Sequence, residues 1–247
     1  MNEKGIIVGC DSQQEWLLSW WWEHYHIHNE YPIVFIDFGM TEQALAWCRT
    51  KGECMDLPAL HPDPASKTDV LPQVKELWET RYGEEIWSRR NIWFKKPSAL
   101  LRSPFRYTIW LDLDCQVNAS LEPLFHCLYF GIDIALVKEP DYIQALDQYQ
   151  QLLLPGEIHY NSGVLAYQQH AAILHQWAEL ALRSSEQFSG DQQALSRAIH
   201  LYHPQLFELP SIYNWSCTFG PNTNAKIHHF HSDYGKKEIK KYFNSSS

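Results

Sequence analysis

Two aspartates one residue apart, Asp112 and Asp114, follow the apolar run Tyr107 to Leu111. Carboxylates so spaced reach a common point if the strand ends in a turn. Oxygen ligands of that kind suit a hard divalent cation such as Mg²⁺ or Mn²⁺, with substrate phosphates completing its shell. A solvated strand end or a pair of helix caps is the competing reading, and spacing alone leaves both open. Other groupings offer less. His24, His26 and His28 alternate beside Glu23, but on a helix only His24 and His28 share a face, and nothing around them has the form of a zinc motif. Exposed polar filling is the reading they support. His228, His229 and His231 crowd a segment near the C-terminus, which by itself reads as a solvated loop. Lys236, Lys237, Lys240 and Lys241 form a small basic run that suits a peripheral contact with an anionic membrane or a phosphate, or a plain solvated helix face.

The elements around the aspartate pair alternate. Ile6 to Cys10 is a short apolar run interrupted by Gly9, which predicts a buried strand, and Gln14 to Tyr25 has helical spacing. Ile33 to Phe38 predicts a second strand ended by Gly39, with Thr41 as N-cap of a helix carrying Ala44, Leu45 and Trp47. Pro58, Pro62 and Pro64 mark a loop between Asp56 and Thr68. Helical character is expected over 70–81, 99–102, 171–183 and 191–200, and strands over 107–111, 132–137 and 163–167. Such alternation favours a mostly parallel sheet with helices on its faces, and in open sheets of this kind ligands bind at the carboxyl ends of the strands. Asp112 and Asp114 stand at such an end. Of Trp20, Trp21 and Trp22, one or two belong to a core and the remainder covers a neighbouring loop.

The run Ile109-Trp110-Leu111-Asp112-Leu113-Asp114, a cation-rich segment upstream (Arg89, Arg90, Lys95, Lys96) and Asn161-Ser162-Gly163 downstream resemble the GT-A glycosyltransferases, and within them glycosyltransferase family 8. The resemblance runs from Ile6 to about Lys236. It implies an α/β, GT-A (Rossmann-like nucleotide-diphospho-sugar transferase) fold with a mixed sheet. It also implies an activity: transfer of a hexose from a nucleotide-diphosphate sugar, UDP-glucose or UDP-galactose, to a glycan, lipid-linked or protein acceptor, with retention. By the same resemblance the strand and turn Val8-Gly9-Cys10-Asp11 hold the nucleotide, Gly9 and Asp11 included, with Asp11 at the base. Asp112 and Asp114 are a DxD pair that binds Mn²⁺ or Mg²⁺, Asp112 lying near the ribose, and His229 of His229-Phe230 is the third metal ligand. Lys96, or the adjacent Lys95, contacts the donor. Asn161 touches the sugar or diphosphate, Asp191 grips donor-sugar hydroxyls and Gln192 lies beside the anomeric carbon. The chain departs from the family after His229: Gly and then Lys-Pro-Trp give way to His231-Ser232-Asp233-Tyr234-Gly235-Lys236, leaving Lys236 as the diphosphate contact. The aromatic residue that stacks on uracil is absent, with Gln13 and Gln14 near its position.

The chain has 247 residues, 45% of them hydrophobic, enough for a full core in one domain over 1–247. The last ten residues or so are expected to fray. A formal charge of −9 argues against a surface built for nucleic acid. Six cysteines without a CxxC pair read as reduced thiols, the N-terminus has no signal-peptide pattern, and no stretch is long and apolar enough to span a bilayer; together these point to the cytoplasm. Two rival functions share these features. A phosphotransfer enzyme of the haloacid dehalogenase type also places Asp-x-Asp after a strand, but it wants Thr or Val where Gln116 stands. A non-catalytic module of the GT-A fold would bind nucleotide sugar or glycan without transfer; the joint presence of Asp112, Asp114, Asn161, Asp191, Gln192 and His229 weighs against it.

Overall fold

The computed structural model describes residues 3–57 and 63–245; Pro58 and Pro62 of the proline-marked loop, and Ser246 and Ser247, lie outside it. In chain order the elements are β1 (Lys4–Cys10), α1 (Leu18–His26), β2 (Ile33–Asp37), α2 (Glu42–Arg49), β3 (Glu53–Asp56), α3 (Pro72–Tyr82), α4 (Ile86–Trp93), α5 (Lys95–Leu100), β4 (Tyr107–Leu111), β5 (Cys115–Val117), α6 (Glu122–Cys127), β6 (Ile134–Lys138), α7 (Asp141–Tyr149), β7 (Tyr160–Gln168), α8 (Ala172–Arg183), α9 (Asp191–Tyr202), β8 (Leu206–Glu208), β9 (Trp215–Ser216), β10 (Ile227–His229) and α10 (Ser232–Ser245). Seven strands form one sheet in the order β3-β2-β1-β4-β7-β6-β8, and β5-β10-β9 form a smaller one. In the large sheet β7 runs antiparallel to both neighbours and the other pairings are parallel. The sheet is therefore mixed and mostly parallel, as expected.

Alternation of side chains along β1 divides the core. Ile6, Val8 and Cys10 face a cluster completed by Leu18, Trp20 and Trp21 of α1 and Leu124 and Phe125 of α6. Ile7 faces the other cluster, with Leu174 and Trp177 of α8 and Leu195 of α9. Each large apolar side chain so enclosed contributes about 1.5–3 kcal/mol. Trp22, only half-buried, lies under Lys51, whose Nζ is 5.1 Å from its ring. Thr41 caps α2, its hydroxyl accepting from the Ala44 N–H at 3.3 Å. His24 and His26 each direct Nδ1 at the carbonyl four residues back, Trp20 and Trp22, at 2.7 and 2.8 Å. That is structural use of both imidazoles.

Helix α10 runs to Ser245, with Ile239 buried in the core and Phe243 packed edge-on to Trp16 at 6.1 Å. The upstream cations serve different ends. Arg90 on α4 is 1% exposed and lies 4.8 to 5.3 Å from the rings of Trp78, Trp87 and Phe94. Its guanidinium donates to the carbonyls of Ala65, Ser185 and Phe188. It ties the segment at Ala65 to the connection between α8 and α9. Arg89 pairs with Glu85, the residue before its own helix, and with Asp233.

Candidate functional site

β1 pairs with β2 on one side and β4 on the other, so the strand order reverses between β1 and β4. In open α/β sheets a crevice forms at the carboxyl ends there. Cys10 and Leu111 end the two strands, and the residues expected to carry chemistry follow them. Past Leu111 a turn closes with the Cys115 N–H donating to the Asp112 carbonyl at 3.0 Å, which brings both carboxylates to one region as their spacing requires.

His229 is carried there by the small sheet. β10 pairs antiparallel with β5, placing His229 opposite Cys115, and the Phe230 N–H donates to the Asp114 carbonyl at 2.8 Å. His229 Nε2 lies 3.2 Å from Asp114 Oδ1 and 3.9 Å from Asp112 Oδ2. Nδ1, at 2.9 Å from Asn214 Oδ1, donates there, since the amide oxygen can only accept. Nε2 is thus aimed at two carboxylates, an arrangement that wants a positive charge between them. Without a metal the imidazole meets that want itself: burial alone would lower its pKa, but Asp114 and then Asp112 raise it. Burial likewise opposes ionisation of Asp114, yet His229 and Lys236 hold its carboxyl far below the ordinary range. An anchored Nδ1, an open Nε2 and two carboxylate oxygens make a donor set that fits a divalent cation. Cys115 shares the neighbourhood of Asp114 and His229, but burial raises its thiol well above the ordinary value, with Asp114 adding to the effect. Its Sγ donates to the Gly163 carbonyl, so it is poorly suited to a hard ion.

Lys96 and Lys236 close the charge balance. Lys96, 7% exposed, places Nζ 2.9 Å from Asp112 Oδ1 and 3.4 Å from Asp191 Oδ2, and donates to both oxygens of Ser162 at 3.2 Å. Burial works against its charge, and the two carboxylates outweigh it, holding the ammonium above the usual lysine range. Asp191 is raised, by burial first and by Asp112. Lys236 Nζ approaches Asp114 Oδ2 at 3.9 Å from α10. Lys95 donates instead to the Phe38 carbonyl at 2.9 Å, so Lys96 is the one of the two that pairs with the aspartates.

A bulge explains how Asn161 and Ser162 enter the site. Along β6 the pairing on β7 jumps from Leu136↔Leu165 to Val137↔Asn161, while β4 holds the bulged stretch through the Asp112 N–H to the Gly163 carbonyl at 2.8 Å. Bulges re-aim side chains in this way. Asn161 Nδ2 donates to Glu139 Oε1 at 2.8 Å, and its Oδ1 accepts from Asn214 Nδ2 at 2.7 Å and the Gly163 N–H at 2.9 Å. Gln192, in the first turn of α9, donates to Glu139 Oε1 at 2.9 Å and accepts from the Ser162 N–H at 3.1 Å. Asp191 accepts from Ser162 Oγ at 2.8 Å.

Asp112, Asp114, Lys96, Asp191, His229 and Lys236 thus form one ionic network, and Asn161 and Gln192 adjoin it through Glu139 and Ser162. Asp11 sits past β1, its Oδ1 accepting from the Gln13 and Gln14 N–H groups at 3.1 and 2.9 Å, so that oxygen caps a turn. A Cβ on Gly9 would lie 2.2 Å from Phe38 and 2.7 Å from Trp110. Gly9 therefore makes room for these stacked rings, and Trp110 Nε1 donates to Asp112 Oδ1 at 2.6 Å. The glycine serves the aim of the aspartate through packing.

Sequence reasoning misses Glu139 and Asn214, and reads His231 only as part of a solvated loop. Glu139 directly follows β6, so the rule that ligands gather at strand ends could find it. His231, within hydrogen-bonding distance of Ser216 Oγ at 2.7 Å, is pushed down to about 4 by burial and by His229. Nothing local marks Asn214.

Gly163 yields a sharp test. A Cβ there would meet His229 Cε1 at 2.2 Å, so Gly163→Ala must displace the imidazole. Overpacking of this kind costs about 1–3 kcal/mol. The variant should fold at a lower Tm and lose whatever stabilisation Mn²⁺ gives the wild type in thermal unfolding. An unchanged Mn²⁺ response would show that His229 takes no part in holding the ion.

No protein-family profile matches the chain, and no curated protein matches it by sequence. Solved structures do. The galactosyltransferase LgtC, in complex with donor and acceptor sugar analogs, superposes with a TM-score of 0.62 at 16% identity over 98% of this chain and 95% of that one. Mouse xyloside xylosyltransferase 1 gives 0.57 at 14% identity over 92% and 97%. The glycosyltransferase GlyE of Streptococcus pneumoniae TIGR4 gives 0.61 at 14% identity over 98% and 64%. The chain has the GT-A fold of these glycosyltransferases. Among the described residues no helix is long and apolar enough to cross a membrane.

Proposed function

We propose that the protein is a metal-dependent glycosyltransferase that moves a hexose from a nucleotide-diphosphate sugar, UDP-glucose or UDP-galactose, to a glycan, lipid-linked or protein acceptor with retention at the anomeric carbon. One observation carries this reading: two carboxylates and an imidazole converge beside two lysines, at the strand ends where Asp191 and Gln192 also meet. Asp112, Asp114 and His229 would hold Mn²⁺ or Mg²⁺, which supplies charge stabilisation to a departing diphosphate. Lys96 and Lys236 add positive charge at the same place. Gly9 and Asp11 border the nucleotide, Asp191 orients sugar hydroxyls, Asn161 fixes Glu139 and offers its remaining N–H, and Gln192 faces the anomeric carbon. Two facts about a similar protein support the assignment: LgtC has been solved with donor and acceptor analogs and as an active-site glutamine-to-glutamate mutant. Free cysteines among the described residues agree with the reducing cytoplasm as the place of action.

The test is a thermal-shift panel of nucleotide sugars with Mn²⁺, repeated with chelator, followed by measurement of nucleotide release. A ligand bound at about 100 times its Kd stabilises the native state by about 2.7 kcal/mol. A selective Mn²⁺-dependent shift with release of nucleotide is the expected result. Binding without release would leave a non-catalytic nucleotide-sugar module, and no shift with any donor would end the proposal.

A further inference from the structure

Behind Gln192 lies a buried polar chain that the ionic network does not use. His159, at 2% exposure, stands just before β7, and Asp147, fully buried, is on α7. His159 Nδ1 hydrogen-bonds Asp147 Oδ2, and Arg81 of α3 hydrogen-bonds Asp147 Oδ1 through Nη1. Arg81 also donates to Gln150 Oε1 at 3.2 Å. On the other side, His159 Nε2 is 3.1 Å from Gln192 Nε2. Gln144 clamps the backbone at this point, accepting from the His159 N–H at 2.8 Å and donating to its carbonyl at 2.7 Å.

The chemistry of each partner fixes the direction of every proton. Arg81 only donates, so Asp147 accepts from it and, as a carboxylate, accepts again from His159 Nδ1–H. A neutral imidazole with its proton on Nδ1 has a lone pair on Nε2, and that lone pair accepts from the Gln192 amide. The amide's other hydrogen goes to Glu139, and its oxygen accepts from Ser162. Every polar atom of the Gln192 side chain is then engaged, and rotation of the carboxamide would break bonds on both sides.

We propose that His159 is a positioning residue for Gln192, its tautomer set by Asp147 and Arg81, so that the carboxamide is held in one orientation before substrate arrives. The importance of that orientation for transfer rests on the donor reading above; the geometry of the chain does not. Helix α3 and helix α7 are coupled through this chain to the first turn of α9. Preorganisation of this kind affects the rate more than donor affinity, because misplacing a reacting group by a fraction of its reach costs on the order of 10²-fold.

The experiment uses the full chain with ¹⁵N-labelled histidine. In the wild type, the His159 signals should show Nδ1–H and an unprotonated Nε2. In Asp147→Asn the amide can donate to Nδ1, and the tautomer should invert. With the nucleotide sugar that the thermal panel selects, kcat for nucleotide release should fall on the order of 10²-fold in that variant, while donor KM stays close to wild type. His159→Leu should show the same loss, and His159→Gln, which restores an acceptor, should recover a substantial part of it. These two carry the test if Asp147→Asn does not fold. A wild-type tautomer with the proton on Nε2, wild-type kcat in His159→Leu, or a change confined to KM would overturn the proposal. If no nucleotide sugar is cleaved by the wild type, the functional reading fails separately, and the tautomer measurement alone decides whether the chain positions Gln192.

Discussion

Asp114→Asn should abolish Mn²⁺-dependent nucleotide release, lowering kcat/KM by about 10³-fold, which corresponds to about 4 kcal/mol of lost charge stabilisation. Asparagine has nearly the same shape but offers one neutral oxygen where Asp114 offers an anionic pair. Oδ1 is the atom that meets His229 Nε2 at 3.2 Å, and Oδ2 is the one that meets Lys236 at 3.9 Å. The substitution therefore weakens the cation site and removes the counter-charge of both partners. Its backbone carbonyl still accepts from the Phe230 N–H, so the small sheet stays closed and the protein should remain folded in near-ultraviolet circular dichroism. Steady-state kinetics across a Mn²⁺ titration check the result. Activity that excess Mn²⁺ restores fully would mean the residue contributes affinity alone, and wild-type kinetics throughout would remove Asp114 from the site.

Lys96→Met should act most strongly on stability. Methionine keeps the length of the stem and its packing, but the ammonium between Asp112 and Asp191 is gone. Removing one member of a buried charged group costs about 3–5 kcal/mol, because the other is left without compensation. Asp112 is partly open to solvent, so the burden falls on Asp191, which is buried and already raised by that burial. The sign of the pH dependence follows. A carboxyl whose folded pKa is raised binds its proton better in the native state, so a fall in pH stabilises the fold. Without Lys96 that rise becomes larger, and the gap between variant and wild type should narrow on going from pH 8 to pH 5. Urea unfolding at the two pH values measures it. A gap that is constant, or that widens in acid, would show that Asp191 does not depend on Lys96.

What the residues disclose by themselves, and what they conceal, divides along physical lines. The strands β1, β2 and β4 are buried on both faces and read as apolar runs, so their ends, and hence Asp112 and Asp114, can be placed. Strand β3 is an edge of four residues, Glu-Cys-Met-Asp, without a buried side chain among them, and it leaves no such trace. Helix α4 has Arg90 on its buried side, which masks the apolar period. The end of α10 reads as a polar tail because its anchors are Ile239 and the Phe243 ring, spaced among lysines and serines. The antiparallel course of β7 is a property of partners and is not written in its own residues.

The site shows the same division. A pair such as Asp112 and Asp114 lies within one turn and is visible as a motif. The convergence of His229 on that pair depends on the pairing of β5 with β10, and only resemblance to other sequences suggests it. Arg81, Asp147, His159 and Glu139 come from four separate segments, and no spacing links them. Gly9 and Gly163 carry another lesson: each is small because a ring from elsewhere occupies the space, and that demand is expressed only in three dimensions.

The pairing of β5 with β10 has a consequence for how the protein is made. Translation delivers the acidic pair early and the imidazole more than a hundred residues later, and the closure between them is among the long-range contacts that form slowly. A nascent chain still tethered to the ribosome at Ile227 already carries both aspartates but lacks His229. Convergence of the three side chains therefore waits for β10 to emerge, and a product interrupted ahead of it would lack the imidazole.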